Sequence, residues 1–82
     1  MIMTVEISMY PFCEDYRTPI LAFIAQLNTY AGLRVSTSPT ATLVSGDFHT
    51  VMQTLTELLA WSHQQHGKAV YVTKFIPGFD PD

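Results

Sequence analysis

The sequence predicts an α+β domain with its elements in the order β-α-β-β-α-β, and three observations lead to this fold class. Apolar and polar residues alternate in four short segments, which is typical of strands. In two longer segments the apolar residues recur three and four positions apart, which is typical of amphipathic helices. Glycine, proline or aspartate stands between the segments, where turns and helix caps require them.

The first strand is predicted over residues 3–11. Apolar residues at positions 3, 5, 7 and 9 alternate with polar ones, so the two faces of the strand differ. The polar set consists of Thr4, Glu6, Ser8 and Tyr10. Pro11 ends the strand, because proline has no amide hydrogen to donate to a neighbouring strand.

Two helices are predicted from their caps and their apolar faces. The first covers residues 18–31, begins with a Thr-Pro pair that suits an N-cap and the first helical position, and ends at Gly32. The second covers residues 48–66, with Asp47 as its N-cap and Gly67 at its end.

The remaining strands are shorter or lie close to the end of the chain. Residues 33–38 and 40–45 alternate on either side of Pro39 and are predicted to pair in an antiparallel manner. Residues 69–76 are rich in β-branched and aromatic side chains and form the last predicted strand. We expect residues 77–82 to be a flexible tail.

Short connections and right-handed crossovers favour a four-stranded antiparallel sheet with both helices on one face. The first and third strands then lie in the middle of the sheet. This arrangement is the ferredoxin-like βαββαβ sandwich. Because 82 residues allow one domain and one modest core, residues 1–76 are predicted to form a single ligand-binding domain.

The charge and composition exclude some functions and favour others. A net charge of −3 and only four Lys and Arg residues argue against nucleic-acid binding. Charged residues make up 13% of the chain and hydrophobic residues 48%, which is more apolar surface than a small domain readily hides. We therefore expect another subunit or a ligand to cover part of it.

The single cysteine and the lengths of the apolar runs bear on location. Cys13 has no partner for a disulfide, and no secretory signal precedes the first strand, so a cytoplasmic location is expected. No apolar run approaches the length of about 20 residues that a membrane-spanning helix needs. Membrane insertion is therefore not expected.

One face of the predicted sheet carries no helix. The residues expected on that face are mostly hydroxylic or aromatic, namely Glu6, Ser8, Tyr10, Arg34, Ser36, Ser38, Thr40, Thr42, Tyr71, Thr73 and Phe75. A purely solvated face would carry more Lys and Glu. The composition therefore favours a subunit interface or a small polar ligand.

The main candidate site combines residues of the two central strands with the loop after the first strand. It consists of Ser8, Tyr10, Asp15, Tyr16, Thr40 and Thr42. An aromatic wall, several hydroxyls and one carboxylate suit a flat heteroaromatic ligand with amine donors, which would form a charge-assisted bond to Asp15. On the residues alone, ordinary strand polarity is the favoured interpretation.

Three other groups have a chemical interpretation and a simpler one. His63 and His66 could share a metal, but no third ligand lies at a recognisable spacing, and a polar helix end explains them. Asp47 and His49 could form an acid–base pair, but a helix cap is favoured. Cys13 has no adjacent base and is interpreted as an unreactive thiol. No catalytic residue, metal or cofactor is therefore predicted.

Five short segments between residues 3 and 76 carry a family resemblance. They are Ile7-Ser8-Met9-Tyr10-Pro11, Asp15-Tyr16, Gly32-Leu33, Thr42-Leu43-Val44-Ser45-Gly46-Asp47 and Ala69-Val70-Tyr71-Val72. In these segments the chain resembles the YkoF-type thiamin/hydroxymethylpyrimidine-binding domain. The resemblance implies a ferredoxin-like domain that binds thiamin or its pyrimidine precursor in salvage or transport, without a catalytic step.

The resemblance also implies an assembly and a ligand region. Chains of this family commonly carry two such domains in tandem, so a chain with one domain is expected to form a homodimer through its sheet. The implied ligand region comprises the Ser8-Met9-Tyr10-Pro11 segment, Asp15-Tyr16, and Thr42 with Gly46.

Two function hypotheses from different classes follow. The leading hypothesis is a non-enzymatic binder of thiamin or hydroxymethylpyrimidine. The alternative is a structural or regulatory module whose sheet face serves only for self-association. An enzyme that uses Cys13, or Asp47 with His49, is a third and less favoured hypothesis.

Overall fold

The computed structural model describes all 82 residues and confirms the ferredoxin-like fold. Its elements are β1 (Ile2–Pro11), α1 (Arg17–Leu27), β2 (Arg34–Thr37), β3 (Thr42–Asp47), α2 (Phe48–His66) and β4 (Ala69–Pro77). The four strands form one sheet in the order β2-β3-β1-β4, and every neighbouring pair is antiparallel. As predicted, β1 and β3 are the central strands.

The hydrophobic core lies between the sheet and the two helices. Val5 of β1 is paired with Val44 of β3, and both side chains are fully buried. The buried apolar residues are Met3, Val5, Ile7, Phe23, Leu27, Val44, Val51, Leu55 and Leu58. Because they come from β1, β3 and both helices, this core fixes one face of the sheet as the helix-covered face.

Helix α1 is shorter than the sequence predicted, and it begins and ends elsewhere. It starts at Arg17. It ends at Leu27 because polar side chains that follow bond to the carbonyls of its last turn. The Asn28 side-chain amide donates to the Ile24 carbonyl over 3.0 Å, and the Thr29 hydroxyl donates to the Gln26 carbonyl over 2.7 Å. Gly32, with φ of 79°, therefore serves the turn before β2 and does not end the helix.

Helix α2 has the bounds and the caps that the sequence predicted. The Asp47 carboxylate accepts hydrogen bonds from the backbone amides of His49 (3.1 Å) and Thr50 (3.2 Å). The hydrogen bond from the Thr50 amide is the main reason why the pKa of Asp47 is lower than its ordinary value. Gly67 forms the C-cap with φ of 79°. Neither helix of the protein is both long and apolar enough to cross a membrane.

The prediction for the open sheet face was wrong for β3 and β4. Ile7 is paired with Thr42 and with Thr73, so Thr42, Tyr71, Thr73 and Phe75 lie on the helix-covered face with Ile7. The open face carries their neighbours instead, namely Leu43, Ser45, Val70, Val72, Lys74 and Ile76. Both strands have apolar residues in successive positions, so alternation alone could not decide which set faces the helices.

The C-terminal residues lie against the open face of the sheet and contact β1 and β2. The Gly78 amide donates to the Ile2 carbonyl over 2.7 Å, and the Thr4 hydroxyl donates to the Phe79 carbonyl over 2.6 Å. Thr4 is fully buried although it lies on the face without helices. The Arg34 guanidinium forms ion pairs with Asp80 (2.9 Å) and Asp82 (3.0 Å). The flexibility of residues 77–82 stays a prediction.

Candidate functional site

A cavity of about 460 Å³ lies at the end of the sheet where β1 extends beyond β3. Strand β1 pairs with β4 as far as Pro11 but with β3 only as far as Ile7. Residues 8–11 therefore have no strand on the β3 side, and those of their backbone groups that point to that side have no strand to pair with. The cavity occupies the space that a longer β3 would fill.

Five parts of the chain line the cavity: the end of β1, the loop after it, one face of α1, the β2–β3 turn and the first residue of β3. The lining residues are Ile7, Ser8, Met9, Tyr10, Pro11, Cys13, Tyr16, Ile20, Phe23, Ile24, Ser38, Pro39, Thr40, Ala41 and Thr42. They include side chains from both faces of the sheet, because the cavity wraps around the free edge of β1.

One serine ties the β2–β3 turn to β1, and a second serine closes the turn itself. The Ser8 hydroxyl donates to the Thr40 carbonyl over 2.9 Å, which ties the turn to the central strand. Within the turn, the Ser38 amide donates to the Ala41 carbonyl over 2.8 Å, and the Ser38 hydroxyl accepts from the Ala41 amide over 3.2 Å. These bonds fix the turn as one wall of the cavity.

Aromatic side chains give the cavity its shape. Tyr10 and Tyr16 are 56% and 59% exposed, so both rings have large surfaces available to a ligand. Phe23 is buried, and its ring centroid lies 5.5 Å from that of Tyr71. The cavity thus combines two accessible phenol rings with an apolar wall.

None of the fifteen lining residues is charged. The polar groups on offer are the hydroxyls of Ser8, Tyr10, Tyr16, Ser38, Thr40 and Thr42, together with the Cys13 thiol. The Cys13 thiol is exposed and donates to the Asp15 carbonyl over 3.3 Å. A neutral lining with several hydroxyls can orient a small polar heterocycle by hydrogen bonds, but it offers no ion pair.

The carboxylate of Asp15 lies outside this lining and bonds to the first turn of α1. It accepts from the Thr18 amide over 3.3 Å and from the Thr18 hydroxyl over 2.6 Å. The hydrogen bond from the Thr18 hydroxyl is the main reason why the pKa of Asp15 is lower than its ordinary value. The N-cap residue of α1 is Tyr16, not Thr18 as the sequence had suggested, and the side-chain bond to the first turn comes from Asp15, one residue before it.

The structure brings together five of the seven residues that the sequence proposed as a site. Ser8, Tyr10, Tyr16, Thr40 and Thr42 all line the cavity. Asp15 and Gly46 do not, and ligand contact by any of the seven stays a prediction.

Gly46 lies toward the other end of β3, where it is paired with Met3. A methyl group at this position would come within 2.9 Å of the Leu33 side chain and 3.0 Å of the Gly32 carbonyl oxygen. The connection between α1 and β2 therefore packs closely against β3, which explains why this position lacks a side chain.

Sequence reasoning missed the apolar half of the lining. Ile20, Phe23 and Ile24 were predicted as one apolar helix face, but nothing indicated that part of this face borders a cavity. Ser38 was assigned to the second strand and its open face, and Pro39 to the turn that follows, without a ligand role for either. The mismatch in length between β1 and β3, ten residues against six, is the signal that could have found the site.

Outside this cavity the structure has no cluster of metal-binding side chains, but it has a smaller cavity. No group of three or more His, Cys, Asp or Glu side chains lies close enough together to hold a metal ion. A second cavity of about 140 Å³ lies between α2 and the β1–β4 part of the sheet, and its lining is mostly apolar. Its residues include Met52, Leu55 and Phe75, and it offers fewer polar groups than the first.

The sequence matches no protein-family model and is not significantly similar to any curated protein. Its fold is similar to several solved structures. A protein of Streptococcus pneumoniae aligns over 96% of this chain and 89% of its own, with a TM-score of 0.87 and 22% identity. A Thermotoga maritima protein provisionally named a thiamine biosynthesis/salvage protein aligns over 92% of this chain and 82% of its own, with a TM-score of 0.82 and 23% identity.

A hypothetical protein of Methanocaldococcus jannascii aligns over 99% of this chain and 84% of its own, with a TM-score of 0.79 and 18% identity. At these identities the likeness shows the fold alone, because one fold hosts many functions.

Proposed function

We propose that this protein binds thiamin or its hydroxymethylpyrimidine moiety in the cavity at the end of β1, without catalysing a reaction. The observation that carries the proposal is a cavity of about 460 Å³ lined by two accessible tyrosines, several hydroxyls and an apolar wall. Pockets for small ligands have volumes of about 300–1,000 Å³ and a mostly apolar lining with a few polar groups. The structural likeness to a protein provisionally named for thiamine biosynthesis or salvage supports the same ligand class.

The chemistry of the ligand fits the lining group by group. An aminopyrimidine is flat and aromatic, so it can stack on Tyr10 or Tyr16. Its ring nitrogens and amine can bond to the hydroxyls of Thr40 and Thr42 or to the free edge of β1. The thiazolium ring of thiamin is a delocalised cation, and aromatic faces attract such cations without a carboxylate.

Titration calorimetry with thiamin and with hydroxymethylpyrimidine tests the proposal. We expect saturable binding, and we expect Tyr10→Ala and Tyr16→Ala each to weaken it about three- to tenfold, which is the usual contribution of one aromatic contact. Phe79→Ala is the matched control, because Phe79 is 47% exposed and lies beside Thr4, toward the opposite end of β1 from the cavity. No heat and no thermal shift with either ligand at millimolar concentration would contradict the proposal.

The absence of a catalytic step is part of the same proposal. The lining holds one thiol and no histidine or carboxylate, so no base is positioned to activate Cys13. Incubation with bound thiamin should return the ligand unchanged, with the wild type and with Cys13→Ala alike. A chemically altered ligand in that incubation would instead support an enzyme.

A second candidate function, self-association through the sheet, is favoured by the apolar residues of β4. Val70, Val72 and Ile76 are 46%, 57% and 37% exposed on the open face, in an edge strand of nine residues. An exposed apolar edge strand is a natural surface for pairing with a second copy. We propose that a homodimer forms through these exposed residues of β4. Such a dimer is compatible with ligand binding because the cavity lies at the end of the sheet.

Light scattering tests the homodimer. We expect the mass of two chains for the wild type and of one chain for Val72→Glu. Leu21→Glu is the matched control, because Leu21 is equally exposed (55%) but lies on α1. If the wild type is a monomer at high concentration, the self-association proposal fails, whatever the calorimetry shows.

A further inference from the structure

We propose that the site takes the unphosphorylated form of its ligand and discriminates against phosphate esters, and that Asp15 contributes to this selectivity. The inference rests on the proposed function, because it concerns the same cavity. It goes further by naming the chemical class that binds: a free alcohol or a soft organic cation, but not a mono- or diphosphate.

The first support is the charge of the lining. None of the fifteen lining residues is Lys, Arg or His, so the cavity holds nothing that could neutralise a phosphate. Bringing an anion out of water without a partner is costly, whereas a neutral alcohol loses only hydrogen bonds that the hydroxyls of the lining can replace. The net charge of −3 adds a weak repulsion over the whole surface.

The second support is the state of the nearest helix N-terminus. Helix α1 begins beside the cavity, since Tyr16 lines the cavity and Arg17 is the first helical residue. Free backbone amides at such a position would attract a phosphate. Here the Asp15 carboxylate already accepts from the Thr18 amide and the Thr18 hydroxyl. The anion-binding position is thus occupied by a negative charge of the protein itself.

The two cations at this end of the molecule, Arg17 and Lys68, are not placed to neutralise a phosphate in the cavity. Arg17 follows Tyr16, and its charge helps to lower the pKa of Asp15, so it acts on that carboxylate. Lys68 precedes β4, and its carbonyl accepts from the Phe12 amide. Neither residue lines the cavity.

The experiment compares thiamin with thiamin monophosphate and diphosphate by calorimetry on the wild-type protein. We expect each ester to bind at least about tenfold more weakly than thiamin, since one uncompensated charge costs more than a tenfold change in affinity. In Asp15→Asn the cap is retained, and we expect the ratio of thiamin to monophosphate affinity to fall about threefold. The affinity for the cation should decrease and that for the ester should increase.

Asp47→Asn is the matched control. It makes the same change at the N-cap of α2, at the opposite end of β3, and it should leave the ratio as in the wild type. Esters that bind as tightly as thiamin would overturn the inference while leaving the proposed function intact. An unchanged ratio in Asp15→Asn would remove Asp15 from the selectivity. If neither thiamin nor its esters bind, the proposed function itself fails, and this inference fails with it.

Discussion

The Tyr71 hydroxyl donates a hydrogen bond of 2.7 Å to the Ser62 hydroxyl and thereby connects β4 to α2. Ser62 is fully buried, and the Tyr71 ring packs against Phe23, which lines the cavity. One side chain therefore joins the last strand, the second helix and the wall of the site. This contact also explains why Tyr71 faces the helices and not the open side of the sheet.

Tyr71→Phe should lower the free energy of unfolding by about 1–2 kcal/mol, because it leaves the buried Ser62 hydroxyl without its donor. Adding Ser62→Ala to that variant should cost less than Ser62→Ala does alone, since the unpartnered hydroxyl is removed. Urea unfolding of the wild type, the two single variants and the double variant measures this coupling. Strictly additive losses would show that the hydrogen bond contributes nothing.

Gly46→Ala should destabilise the fold by about 1–3 kcal/mol, which is the usual cost of forcing a methyl group into a filled space. The new Cβ would lie 2.9 Å from the Leu33 side chain and 3.0 Å from the Gly32 carbonyl oxygen. Thermal unfolding measures the loss, and calorimetry with thiamin on the folded variant measures binding. We expect unchanged affinity, because Gly46 lies outside the cavity; weaker binding would restore the ligand role that the sequence had suggested.

The fold could be predicted because its signals are local. Asp47 and Gly67 bound α2 through their own backbone chemistry, and the alternation in β1 fixes which of its faces meets the helices. The end of α1 could not be predicted in the same way. Asn28 and Thr29 can occur inside a helix or at its end. Where the helix ends depends on the backbone carbonyls to which their side chains donate hydrogen bonds.

The site was only half predictable, for a related reason. The sequence indicated the hydroxyls and tyrosines around Ser8. The cavity, however, exists because β3 begins only at Thr42, opposite Ile7, while β1 continues past that point. The predicted first strand was already longer than the predicted third, but the pairing register, which decides where the excess residues lie, depends on distant segments and leaves little trace in either one. Residues such as Tyr71 and Val72 are apolar enough for both faces, so only the pairing register could assign them.

Acidification should destabilise the protein below about pH 4, and Asp47 should contribute to this loss. Its pKa in the folded chain is lower than the ordinary value of 3.8, mainly because of the hydrogen bond from the Thr50 amide. A lowered pKa means that the stabilisation is complete above the unfolded value and is lost as the pH falls through the folded value. The melting temperature should therefore hold from neutral pH down to about pH 4 and then decline.

Asp47→Asn should melt a few degrees lower at neutral pH and should show a shallower decline in acid, since the residue no longer titrates. Melting curves of both proteins between pH 2 and pH 7 measure this difference. Identical slopes would assign the acid sensitivity to the other carboxylates with lowered pKa, Asp15 and Asp80.

Arg34→Ala should release the C-terminal residues from the open face. The guanidinium binds Asp80 and Asp82 over 2.9 Å and 3.0 Å, and these are ion pairs of exposed side chains. In the variant we expect the amide of Asp82, which donates to the Asp80 carboxylate over 3.0 Å, to exchange with deuterium several-fold faster. The wild type in about 1 M salt should behave similarly, because exposed pairs are screened there.

Lys74→Ala is the control for this release. It breaks a different ion pair of the open face, the one to Glu6 at 3.6 Å, and should leave exchange at the C-terminus unchanged. Thr4 and Ser45, both buried on that face, should become accessible only in Arg34→Ala. If the C-terminal exchange rates of Arg34→Ala match those of the wild type, the backbone bonds of Gly78 and Phe79 alone suffice to hold these residues on the sheet.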